Sequence, residues 1–206
     1  MKRICSLFLF VCLLLIGFSA SANVFSHRYF IPNTDYTIEF PVFFDTFSSE
    51  ISEHEPFLYE SNFDLESAQS LLSNCRATMA AFTNDTGYDL SVFIYVTEAD
   101  LGFSSQSLSE EELERVAKVL SDAYYSGNDN VRSLTPEKPY EIEQIGKLTY
   151  ISLGDYSIAN SNSIEIHYYL FENDYKIEIF FCFNETDNEI IDRISLCTDY
   201  ILKSIN

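Results

Sequence analysis

The sequence predicts an α+β fold: a largely antiparallel sheet with helices packed on it, in the order β-β-α-β-α-β-β-β-α. Three observations carry that expectation. Strand-like segments come in runs instead of alternating singly with helices, three segments space their apolar residues as helices do, and the last third reads as strands joined by short turns.

The order begins after a leader. Lys2 and Arg3 give a short positive start, Ile4 to Phe18 is a nearly unbroken apolar run, and Ser19-Ala20-Ser21-Ala22 supplies small residues of the kind a signal peptidase reads. Residues 1–22 are therefore expected to be a signal peptide, with 23–206 forming a single α+β domain; an uncleaved N-terminal anchor is the alternative. The apolar run is shorter than the ~20 residues a spanning helix needs. Ile4 and Val11 precede Cys5 and Cys12, where a lipoprotein signal carries a small residue, which argues against a lipid anchor. Once the leader is removed, no membrane insertion is expected.

Within the domain, Tyr36 to Phe40 alternates apolar and polar residues as a half-buried strand does. Arg28 to Ile31 is its expected partner across the turn Pro32-Asn33-Thr34-Asp35, and Pro41 ends it. Phe63 to Phe82 carries Leu65, Ala68, Leu71, Leu72, Cys75, Met79 and Phe82 three or four apart, which predicts one helix with Asp64 as its N-cap. Leu90 to Thr97 has apolar groups on both faces, as a central strand has. Ser109 and Glu112 form a capping box ahead of the helical face Leu113, Val116, Ala117, Leu120 and Tyr124, with Gly127 at the expected stop. Gln144 to Leu153, Ile164 to Phe171 and Tyr175 to Phe183 read as strands, the last two joined at Glu172-Asn173-Asp174. Asp187 to Lys203 reads as a final helix burying Ile190, Ile191, Ile194, Cys197 and Ile201.

Thirty-two acidic residues against 12 basic ones give a net charge of −20, and the leader takes away only basic residues. A field of that sign repels nucleic acid and anionic membranes and favours a cation or a basic partner. Beyond the leader lie Cys75, Cys182 and Cys197. In an exported chain Cys182–Cys197 is the expected disulfide, because it would join a strand to the next helix; three thiols packed as small apolar groups are the alternative.

Motifs for chemistry are absent from the sequence. His27, His54 and His167 have no ligand spacing, although His167 shares a strand face with Glu165 and Tyr169. Neither Glu50–Glu55 nor Gly127-Asn128-Asp129-Asn130 fits a known Ca²⁺ loop. There is no Gly-x-Ser-x-Gly elbow and no glycine-rich phosphate loop. No catalytic residue, metal site or cofactor is assigned. The aromatic-rich stretch holding Phe43, Phe44, Phe47, Phe57, Tyr59 and Phe63 is the candidate binding surface, with folding back as core the alternative. The expected function is that of a secreted or extracytoplasmic, non-catalytic binding or accessory module for a protein or envelope component. A secreted hydrolase with an unrecognised site and a cation-dependent adhesion or assembly domain are the alternatives.

The opening Tyr36-Thr-Ile-Glu-Phe-Pro41, followed by Phe43 and Phe44, and the closing series Lys147–Ser152, Glu165–Phe183 and Asp187–Ile205 resemble the PsbP-like fold family. They are also similar to small secreted proteins of unknown function in Gram-positive bacteria. The family resemblance implies an α/β/α sandwich that binds proteins or assists assembly, usually without catalysis.

Overall fold

Alternating burial along the middle and end of the chain produces an eight-stranded antiparallel sheet, seen in a computed structural model that describes residues 25–49, 64–84, 87–126, 131–134, 138–157, 163–184 and 187–206. The expected signal peptide, Phe57, Tyr59, Phe63, His54, the Glu50–Glu55 loop and Gly127 to Asn130 lie outside those residues.

In chain order the elements are β1 (Ser26–Phe30), β2 (Thr37–Pro41), β3 (Phe44–Ser48), α1 (Leu65–Cys75), β4 (Met79–Thr83), β5 (Leu90–Glu98), α2 (Glu110–Tyr125), β6 (Val131–Ser133), β7 (Glu141–Ile145), β8 (Leu148–Ser157), β9 (Ser163–Glu172), β10 (Tyr175–Phe183) and α3 (Asn188–Ser204). The expected α+β order is retained, with β3, β4, β6 and β7 added. The main sheet runs β3-β4-β5-β10-β9-β8-β6, with β7 also on β8, while β1 and β2 form a separate hairpin.

Two added strands correct the reading of the sequence. The helix expected through Phe82 stops at Cys75, because Arg76 adopts the left-handed conformation (φ 57°) and its N–H bonds back to the carbonyls of Leu72 and Ser73. Met79 to Thr83 then pairs with both β3 and β5. The single strand expected over Gln144 to Leu153 is a hairpin of β7 and β8 around Gly146-Lys147. Gly146 sits at φ +63° in the first central position of that turn, a left-handed conformation that glycine adopts without strain.

Strand parity then sorts the core into two layers. On one face, Ile177, Ile179, Phe181 and Phe183 of β10 pack with Leu90, Val92 and Ile94 of β5 against Ile194, Cys197 and Ile201 of α3 and against Ile38 and Phe40 of β2. On the other face α1 sets Ala68 and Leu72 on Phe47 and Ala80, while α2 sets Ala117 on Ile151, Leu153 and Tyr169. The result is an α/β/α sandwich. Glu39 of β2 ties the hairpin in place, receiving Arg28, Ser26 and Tyr200. Beyond α3, Asn206 and Thr37 exchange backbone hydrogen bonds of 3.2 and 2.9 Å.

Candidate functional site

Two groups of polar side chains stand out, one on each face of the sheet. The first grows from the period-two pattern of β9, which turns Glu165, His167 and Tyr169 toward α2, while β10 presents Lys176, Glu178 and Phe180 on the same side. His167 Nδ1 lies 2.9 Å from Glu178 Oε1, and Tyr124 Oη of α2 lies 2.8 Å from His167 Nε2. An ionised carboxylate only accepts, so His167 Nδ1 donates to Glu178, while its Nε2 meets the Tyr124 hydroxyl. Glu178 also receives the Tyr169 hydroxyl at 3.2 Å and Lys176 Nζ at 3.4 Å. Burial pushes the Glu178 carboxyl up, but His167, Lys176 and Tyr169 outweigh it and hold the group below the usual glutamate range.

Aromatic rings extend this cluster along the sheet. Phe180 stacks on His167 at 4.6 Å between centroids, Phe93 stacks on Phe180 at 5.9 Å, and Tyr169 lies on the other side of His167. The resulting carboxylate–imidazole–phenol chain has both imidazole nitrogens engaged. Its direct physical effect is to pin α2 to the sheet centre.

The second group lines a groove between α3 and β7–β9 on the opposite face. Its cavity measures about 350 Å³, with Ile166, Leu202 and the Tyr168 ring as apolar walls and Glu143, Asp199 and Lys203 at the rim. A neighbouring cavity of about 220 Å³ shares Glu143, Ile166 and Tyr168 and adds Glu141 and Ser152. Glu143 accepts from the Ser152 hydroxyl at 2.7 Å, and Lys203 pairs with Asp199 at 2.7 Å. Thr198 also lines the groove and is only 6% exposed. Among the described residues nothing hydrogen-bonds the hydroxyl of Thr198 or of Tyr168. Burial first, then the charges of Glu143, Glu141 and Asp199, raises the Tyr168 phenol well above its ordinary value.

The sequence placed the site elsewhere. Phe44 and Phe47 are core residues, 5% and 2% exposed, because β3 carries them inward on its two faces, and Phe43 is half-buried beside Phe44. Cys182 and Cys197 are thiols, not a disulfide. Cys182 falls between Phe181 and Phe183 and so points away from the face that α3 covers, while Cys197 packs on that face. Cys75 is exposed at the end of α1, not on a buried helix face. Alternation of Glu165, His167 and Tyr169 was the one sequence signal for the polar cluster; nothing local announced the groove, whose residues come from β7, β9, β10 and α3.

No family model matches the chain, and no curated protein matches it either. The solution structure of cyanobacterial PsbP (CyanoP) from Synechocystis sp. PCC 6803 is similar over 91% of this chain and 95% of that chain, with a TM-score of 0.51. The fold is PsbP-like. Sequence identity with CyanoP is 9%, so the likeness carries the architecture and transfers no residue role. Within the PsbP-like sandwich, the α3 groove and the His167 cluster are features read from this chain alone.

Proposed function

We propose that this chain is a non-catalytic extracytoplasmic accessory module that binds another protein or an envelope component. The α3 groove carries the reading: it gathers carboxylates and two hydroxyls that have no partner among the described residues around an apolar floor, which is how a recognition surface is built. The polar cluster supports it from the other side, since its hydrogen bonds are spent on holding α2 in place. The leader at residues 1–22 supports export, and the PsbP-like architecture supports an accessory role by analogy.

The test is cross-linking of purified residues 23–206 to an envelope fraction of the source cell, read by mass spectrometry. A saturable protein partner, competed by excess unlabelled domain, is the expected result. Absence of any saturable cross-link across low and high salt would overturn the reading.

A further inference from the structure

We infer that the α3 groove is a docking site for a basic polypeptide segment, seating lysine or arginine side chains with their alkyl stems on Ile166 and Tyr168 and their charged heads between Glu143 and Asp199. This deepens the accessory reading and rests on it.

Four observations converge. The floor is apolar and the rim acidic, the polarity of a long cationic side chain reversed. Thr198 is 6% exposed and lines the cavity, and its hydroxyl has no hydrogen-bond partner among the described residues, so it stands open to a donor from outside. Tyr168 lines both cavities, and its hydroxyl accepts as well as donates. The chain already places one cation there, because Lys203 reaches Asp199 at 2.7 Å from the same rim.

Charge decides the class of occupant. Glu141, Glu143 and Asp199 all act on Tyr168, and Lys203 offsets only one of them, within a chain whose net charge is −20. An anionic or neutral ligand would leave the carboxylates uncompensated. The two cavities share Tyr168 and Glu143, which suits successive cationic side chains on one extended segment better than a single small amine.

The experiment uses a fluorescein-labelled hexalysine peptide and the purified chain, read by fluorescence anisotropy, with thermal midpoints confirming that every variant is folded. Glu143→Gln, Thr198→Val and Tyr168→Phe are each expected to weaken binding about fivefold or more, the scale of one lost buried contact. Lys203→Gln is expected to tighten binding by releasing Asp199. Glu111→Gln, exposed on α2 on the far face, is the charge-matched control and is expected to change little. Equal weakening by Glu111→Gln and Glu143→Gln would mean diffuse attraction to an acidic surface and would overturn the site. Displacement of the peptide by spermidine at equal amine concentration would make a free polyamine the occupant and overturn the polypeptide. An envelope partner that cross-links equally well to the Glu143→Gln and Thr198→Val variants would leave the accessory reading standing and remove the groove from it.

Discussion

His167 and Glu178 meet diagonally across two neighbouring strands: the register sets His167 opposite Phe180, yet its Nδ1 reaches Glu178 Oε1 at 2.9 Å. That reach makes the cluster sensitive to acid. Glu178 is held below the ordinary glutamate value, so the folded state binds fewer protons there than the unfolded chain does. Its contribution is present above the unfolded value and is lost as pH falls through the folded one. Glu178→Gln is expected to lower stability at neutral pH by about 2 kcal/mol, or about 4–8 °C in midpoint for a chain of this size. The gap between wild type and variant is expected to narrow as pH falls from about 6 to 3. Melting curves across that range check it; a gap that stays constant with pH would show that the cluster does not hold the carboxylate.

Thr46 sits 1% exposed in β3, and its hydroxyl has no hydrogen-bond partner among the described residues. Replacing it with the similarly shaped Val removes a desolvated polar atom without changing the packing volume. Thr46→Val is expected to stabilise the fold by about 1 kcal/mol. Urea denaturation reads the outcome directly, and a drop in the midpoint would mean that the hydroxyl is satisfied.

Arg76 closes α1 at φ 57°, a conformation that strains a residue bearing a Cβ. Its side chain is exposed, so little packing is lost on removal. Arg76→Gly is expected to raise stability by about 0.5–1 kcal/mol, and Arg76→Val, β-branched, to lower it by a similar amount. Paired thermal melts separate the two, and both variants shifting the same way would refute the cap.

The thiols are expected to react in order of burial. Cys75 is exposed, whereas burial keeps Cys197 at 8% exposure and pushes its thiol up to about 12. Native alkylation followed by peptide mapping is expected to label Cys75 first and Cys197 only on unfolding. A cross-linked peptide joining Cys182 to Cys197 would mean that β10 presents Cys182 on the α3 face, against the observed alternation.

The elements that were legible in the sequence share one property: their signal is local. The capping box at Ser109 and Glu112 is formed as the spacing predicts, and Asp64 caps α1 through the Ser67 N–H. The reading failed where a short apolar run fits two periods at once. Met79, Ala80, Ala81 and Phe82 continue the helical spacing of α1, yet a buried strand is apolar on both faces too, and Arg76 gives no glycine signal for the break. The disulfide failed on parity, since one position along β10 decides which face a cysteine meets. The groove could not be read at all, because Glu143, Tyr168 and Thr198 become neighbours only once the β7–β9 register and the α3 packing are fixed.

The pairing of Asn206 with Thr37 carries a consequence for timing. Those backbones are 169 residues apart, and Ser204 and Tyr200 reach Glu39 across comparable separations. Loops that long close late, after local turns and hairpins have formed. During synthesis the β1–β2 hairpin has no finished surface to dock on until α3 has emerged. The β1–β2 side of the core therefore cannot lock early, and the hairpin stays undocked until the last helix is made.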